Sequence, residues 1–267
     1  DLTEIWNGGM GSYTIGTDSK SCLARYNLNA NTTGNQIGYY EYSNTIVYTY
    51  YQAPTDIFLG SEVFDLSGKV LTFTSNSAGT GYTWTVTNGT LWTTVPPYDT
   101  LGFTRVTSTS GGSLDDGFLT VSLSNGFPFY GVTYFTCNIS TNGYLSFGSG
   151  DGSVQTTLSS HYSSLKIAYY SCDFLPTTSG TSGILNYGYS GDKFIITLQD
   201  MPRFPGSSVI DRANVQIALY LANATSGTPG TIEINYGECS TPGITNWIIG
   251  LSDRTNGITP TDGSASV

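Results

Sequence analysis

Charge is what this 267-residue chain has least of: 10% of its residues are Asp, Glu, Lys or Arg. Nine are basic and nineteen acidic, for a net charge of −10. Such a surface repels phosphate backbones and anionic lipid, so nucleic acid is excluded as a partner. Long apolar runs are missing too. Nothing approaches the roughly twenty residues a helix needs to cross a bilayer, so no membrane insertion is expected. The chain begins at Asp1 rather than Met, and the expectation is a soluble protein whose export signal has been removed. There is a single histidine and no CxxC spacing, which leaves zinc without a ligand set. No GxSxG elbow accompanies His161 in "LSSHYSSL", which reads as a solvated loop histidine rather than part of a triad. In "NGGMGSYTIG" (7–16) Gly9 and Gly11 lack the third glycine and the following helix that a nucleotide loop needs. No catalytic residue and no cofactor is expected, and the chain is read as a non-enzyme.

What is present is glycine, tyrosine and β-branched sequence: thirty-three Gly and twenty Tyr, with long Ser/Thr runs. Segments such as "TIVYTYYQ" (45–52), "KVLTFTS" (69–75), "YTWTVT" (82–87), "FLTVSL" (118–123), "KFIITLQ" (193–199), "VQIALYL" (215–221), "TIEINYG" (231–237) and "NWIIGLS" (246–252) alternate or run apolar between turn residues. No helix is evident. The fold class is all-β, read as two β-sandwich-like domains. The low-complexity stretch "TSTSGGSLDDG" (107–117) supplies the division, giving domains 1–110 and 111–267.

The run "FPFYGVTYFTCNISTNGYLSFGSG" (127–150) contains a hairpin whose register can be deduced. A two-residue Asn142-Gly143 turn would set apolar side chains opposite polar ones throughout. A three-residue loop, Thr141-Asn142-Gly143, instead pairs Ile139 with Leu145, Cys137 with Phe147 and Asn138 with Ser146, sorting one face apolar and the other polar. Gly143 then takes positive φ. This register turns Cys137 inward and puts Asn138 on the wet face, where a glycan could be carried.

The four cysteines, Cys22, Cys137, Cys172 and Cys239, suit disulfides in an oxidising compartment. Spacing leaves three pairings open. The one favoured joins Cys137 to Cys172 within the second domain and Cys22 to Cys239 across the two. Sequons at Asn31, Asn88, Asn138 and Asn223 agree with export.

From "DDGFLTVSL" through "FPFYGVTYFTCNISTNGYLSFG", "KIAYYSCDFLP", "GDKFIITLQDMP", "NVQIALYL", "TIEINYG" and "NWIIGLSD", the order of elements resembles the nidogen-like family of extracellular β-sandwich domains, over about residues 113–253. Where such domains often carry Phe-Trp-Ala-Asp before "LDP", this chain has Tyr170-Ser171-Cys172-Asp173-Phe174-Leu175-Pro176. The resemblance implies an extracellular interaction module with no active site of its own.

Acidic residues offer little chemistry. Asp115 and Asp116, adjacent in an extended strand, would point to opposite faces and could not act as a glycosidase pair. They are weak calcium candidates with the carbonyls of the Gly-rich linker, lacking EF-hand spacing. Trp6, Trp84, Trp92 and Trp247 either stack sugars or fill cores, and packing is the favoured reading.

The expected function is a non-enzymatic extracellular structural protein that self-assembles into a filament, surface layer or viral outer layer and mediates adhesion. Sparse charge leaves sheet edges poorly guarded against pairing. Its partner is itself, joined through an edge strand or a donated terminal segment, 1–16 or 255–267. The N-terminus is favoured because Ile5, Trp6, Tyr13 and Ile15 offer side chains to bury. The alternative is a monomeric adhesion or carbohydrate-binding module whose partners are surface glycans.

Overall fold

A computed structural model describes residues 64, 66–76, 79–89, 96–205, 212–239 and 246–254, with the backbone of four strands nearer the N-terminus. β1 (Cys22–Asn27) and β2 (Asn35–Tyr40) pair with each other as a two-stranded sheet. There follow β3 (Thr45–Thr49), β4 (Thr55–Leu59), β5 (Lys69–Ser75), β6 (Tyr82–Asn88), β7 (Thr104–Arg105) and β8 (Gly111–Gly112). Next come β9 (Gly117–Phe129), β10 (Val132–Ser140), β11 (Tyr144–Ser146) and a five-residue helix α1 (Leu158–Tyr162). β12 (Lys166–Ser171), β13 (Ile184–Ser190), β14 (Lys193–Pro202), β15 (Arg212–Tyr220), β16 (Ile232–Tyr236) and β17 (Asn246–Ser252) complete the order.

All pairings among the described strands are antiparallel, and those beyond β1–β2 make two large sheets, as the all-β reading requires. One sheet runs β4-β17-β12-β11-β10-β9-β8, the other β3-β6-β5-β16-β15-β14-β13-β7. Both take strands from either side of residue 110. β5 pairs with β16, β4 with β17, and β7 with β13. The sheets therefore give no division at residue 110: the Ser/Gly-rich stretch there is the short crossing from β7 in one sheet to β8 in the other. The polar composition that suggests a linker is equally what a tight, exposed crossing uses.

Period-two alternation builds the core. Across four neighbouring strands, Ile139, Leu145, Ile167 and Leu251 stand level with one another and are fully buried. From the other sheet Ile196, Ile217 and Ile234 do the same. Aromatic rings fill the space between. Phe129 lies 4.9 Å from Phe147, and Phe64 packs edge-on against Tyr170 at 5.1 Å and Tyr236 at 5.4 Å. Trp84 and Trp247 are buried, so both pack in the fold and neither offers a face to a sugar. Trp6 and Trp92 lie outside the described residues.

The β10–β11 hairpin has the deduced register: Ile139 pairs with Leu145 and Asn138 with Ser146 around the loop Thr141-Asn142-Gly143, with Gly143 at φ 74°. The β9–β10 turn is tighter. Phe129 pairs with Val132 across Tyr130 and Gly131, at φ 45° and 79°, the paired positive values of a type I′ turn. Tyr130 is held in that conformation by its ring, 4.7 Å from Phe129 and 5.2 Å from Tyr82.

Candidate functional site

The outer face of the β10-β11-β12-β17 region should, by alternation, be the polar and solvated side. It is polar, but it is not solvated. Asn138, Ser146, Lys166 and Ser252 form one row across four strands and are all buried. The segment 148–165, including α1, folds back over them. Thr157 starts α1 by a capping box, its hydroxyl accepting from the Ser160 amide at 3.1 Å.

Several bonds fix this flap. Tyr144 Oη donates to the carbonyls of Asp151 and Ser153, 2.9 Å each. Ser171 Oγ donates to the Gln155 carbonyl at 2.7 Å. Asp151 Oδ1 accepts from the Ser153 amide at 2.9 Å, and its Oδ2 accepts from Gln155 Nε2. Lys166 Nζ donates to Gln155 Oε1 at 2.6 Å and to the Ser160 carbonyl at 3.0 Å, and stands 5.1 Å from the Tyr144 ring centre. Burial pulls the Lys166 amine down to about 8, with the Asp151 charge opposing that shift. His161 is buried at the same place. Burial, then the Lys166 charge, lowers its imidazole to about 3, against a Leu251 backbone hydrogen bond that favours protonation. The solvated-loop reading of His161 is thereby corrected: the first five residues of "LSSHYSSL" form α1, whose last turn presses His161 onto the sheet.

Asn138 is likewise corrected. Its Nδ2 donates to the Gly148 carbonyl at 3.0 Å and its Oδ1 accepts from Thr120 Oγ1 at 2.8 Å, so the wet face expected for it is covered. A glycan on that nitrogen has no exit. Asn88 and Asn223 are exposed, and Asn31 lies outside the described residues.

A second buried hub is the hairpin loop. Asn142 Nδ2 donates to Asp116 Oδ1 and to the Gly152 carbonyl, 2.9 Å each, and its Oδ1 accepts from the Phe174 amide at 2.8 Å. Thr141 Oγ1 donates to the Asp115 carbonyl at 2.7 Å. Asp115 and Asp116 belong to the β8–β9 turn, closed by the Ser113 amide on the Asp116 carbonyl at 3.0 Å, not to an extended strand as expected. Burial and the neighbouring Asp116 charge raise the Asp115 carboxyl. Asp173 is raised by burial and then by Asp116 and Asp115, with Arg203 opposing. Among the described residues no three metal-ligating side chains converge in a metal-holding group, so the calcium reading of Asp115 and Asp116 gains no support here.

No disulfide forms among the described residues. Cys137 cannot reach Cys172 because β11 lies between their strands, placing β10 and β12 about 9.5 Å apart, whereas a disulfide spans Cα atoms about 4.4–6.8 Å apart. Register separates them further: Cys137 is level with the start of β12, while Cys172 follows its end. Cys239 Sγ lies 3.5 Å from the Asn214 carbonyl, and burial raises its thiol to about 12. The side chain of Cys22, like Ile5, Trp6, Tyr13, Ile15 and the segment 255–267, lies outside the described residues.

Alternation could not reveal the flap, because 148–165 is Gly/Ser-rich and carries no hydrophobic period. The one available signal was Lys166, a lone cation opening the apolar strand "KIAYY". The site is thus a polar interior closed by a strap on an antiparallel two-sheet scaffold. The chain belongs to the NIDO-related family, whose model matches residues 81–267 and so crosses residue 110 as the sheets do. No curated protein and no solved structure matched it.

Proposed function

We propose that the protein is a non-enzymatic structural and adhesive module outside the cell, assembling with copies of itself into a filament or layer on a cell or virion surface. NIDO-related domains are typically extracellular and of adhesion type, and no described helix is long and apolar enough to cross a membrane.

The observation that supports assembly is the inequality of the sandwich's two lateral edges. On one side β7 and β8 are two residues long, and the β9 edge beyond them is capped. The Ser110 amide bonds the Phe118 carbonyl, Ser110 Oγ takes the Thr120 amide, Tyr189 Oη bridges Ser122 and Ser124, and the Ala222 amide bonds the Gly126 carbonyl. On the other side the sheets end in β3 and β4, five residues each. Short and capped edges discourage strand addition, and longer ones permit it. The β3/β4 side is therefore the joint, with residues 1–16 as the donated strand.

The test is sedimentation and electron microscopy of the full chain and of a chain lacking residues 1–16. Assembly of the first and loss of assembly in the second is the expected result. A full chain that stays monomeric at high concentration overturns the proposal, and assembly surviving the deletion overturns the donor segment.

A second reading, glycan binding by a monomer, is favoured by an uncharged cleft of about 430 Å³ between the β5–β6, β9–β10 and β15–β16 turns, lined by Ser75, Asn76, Pro128, Thr133 and Thr228 among others. Binding on a glycan array by a monomeric chain would select it.

A further inference from the structure

The contact between Lys166 and Gln155 has the components of a covalent bond as well as of a hydrogen bond. Nζ stands 2.6 Å from Oε1. A carbonyl bond is about 1.23 Å, so the amine lies within about 3.8 Å of the Gln155 amide carbon, close to the spacing of reacting atoms in a near-attack geometry. The leaving nitrogen of that amide, Nε2, already donates to the Asp151 carboxylate. Water is excluded: Lys166 is 0% exposed and Gln155 6%. Each partner is held in place from outside the pair, Lys166 by the Ser160 carbonyl, Gln155 by Ser171 on its backbone, and Asp151 by Tyr144 and Ser153.

We propose that Lys166 and Gln155 form an intramolecular isopeptide bond after folding, with Asp151 carrying the proton. The neutral Lys166 amine attacks Cδ of Gln155. A C–N bond forms between Nζ and Cδ, and the bond from Cδ to Nε2 breaks. Asp151 takes the proton that the attacking amine sheds and delivers it to the departing nitrogen, which leaves as ammonia. One amide replaces another, with no change of oxidation state and no co-reactant.

Three surroundings favour the step. Burial brings the amine to about 8, so roughly a tenth of it is neutral at pH 7 without any added base. His161, the other basic side chain nearby, stays neutral and adds no second positive charge. Escape of ammonia to solvent makes the exchange one-way. The product staples the flap to β12 across the polar row, giving the fold a covalent tie independent of redox conditions.

The experiment is intact-mass spectrometry of the folded full chain, followed by chymotryptic cleavage on the carboxyl side of Tyr162 and Leu165. The expected result is a chain lighter by one ammonia, in which the peptide beginning at Lys166 remains joined to the one containing Gln155. Asp151→Asn and Lys166→Arg should each restore the full mass, with Asp151→Asn slowing the loss at least a hundredfold if it does not abolish it. An Asn-Gly pair such as Asn125-Gly126 can also lose ammonia as a succinimide, so a light chain whose peptides separate overturns the proposal. So does a full-mass wild-type chain after prolonged incubation, folded, at pH 9, where the amine is mostly neutral. The wild-type readings need no variant to fold.

Discussion

A β-carbon on Gly143 would stand 2.0 Å from the carbonyl oxygen of Tyr170, and the Tyr170 amide in turn donates to the Gly143 carbonyl at 3.0 Å. The hairpin loop is thus seated directly on the backbone of β12, β11's neighbour in the sheet, at a glycine with φ 74°. Two independent demands for glycine meet there. Gly143→Ala is expected to lower the unfolding free energy by ~3 kcal/mol or more, combining left-handed strain with displacement of a neighbouring backbone. Gly148 provides the comparison: its φ is 87°, but a β-carbon there meets nothing within 4 Å. Gly148→Ala should cost only ~1 kcal/mol. Urea unfolding of both variants separates the effects, and equal losses would show that the close approach contributes nothing.

Glycan occupancy should follow burial rather than the sequon. Expressed through a glycosylating secretory route, the folded protein is expected to carry glycans at Asn88 and Asn223, which are exposed, and none at Asn138, which is 4% exposed with its Nδ2 bonded to the Gly148 carbonyl. Enzymatic deglycosylation with isotopic labelling reads each site. A glycan at Asn138 in folded protein would contradict the buried polar row. Asn138→Asp should destabilise by ~2 kcal/mol, because it places an acceptor opposite the Gly148 carbonyl in a dry setting.

Acid sensitivity should trace to His161. Its folded pKa of about 3 lies below the ordinary 6.5. Above pH 6.5 the ring is neutral in both states and costs nothing. As pH falls towards 3 the unfolded chain binds a proton that the fold refuses, so stability declines across that window. At about 1.4 kcal/mol per pK unit, the loss is on the order of 4 kcal/mol by pH 3. The raised carboxyls of Asp115 and Asp173 act with the opposite sign, binding protons in the fold first. Urea midpoints measured from pH 7 to pH 4 should fall steeply for the wild type and less steeply for His161→Phe. An unchanged slope in the variant would assign the acid sensitivity elsewhere.

The parts of this fold that could be read from the letters are those where alternation and a special backbone angle agree. The hairpin 137–147 is such a place: only one register sorts Ile139 with Leu145, and Gly143 marks the required positive φ. The parts that could not be read depend on which polar faces another segment covers. Asn138 and Ser146 have the letters of a wet face, and their burial is decided by a Ser/Gly-rich strap whose own sequence carries no period. The hub role of Asn142 is hidden for a similar reason. Asn-Gly reads as a turn, while two of its three side-chain hydrogen bonds reach residues distant in sequence, Asp116 and Phe174, and the third reaches Gly152 in the flap. Around residue 110 a sheet-to-sheet crossing and a linker share the same Ser/Gly-rich composition, so the letters alone do not separate the two.

Tyr189 guards the middle of the β9 edge, and its hydroxyl is the part that does so. Oη donates to the Ser122 carbonyl at 2.8 Å and accepts from the Ser124 amide at 3.1 Å, occupying two outward groups that a foreign strand would need. Ser110 covers the edge on one side and the Ala222 amide on the other, so loss of the hydroxyl uncovers only the centre. The ring itself stays anchored 5.2 Å from Phe194, and at 44% exposure water can replace the lost bonds. Tyr189→Phe is therefore expected to change unfolding free energy by only ~1 kcal/mol. Its effect on association should be larger, because an exposed pair of unpaired ladder groups on a 13-residue strand is a template for another chain. Sedimentation velocity over a concentration series should show Tyr189→Phe forming species that the wild type does not. If the variant associates no more than the wild type, the hydroxyl is a packing detail and β9 is protected by its neighbours alone.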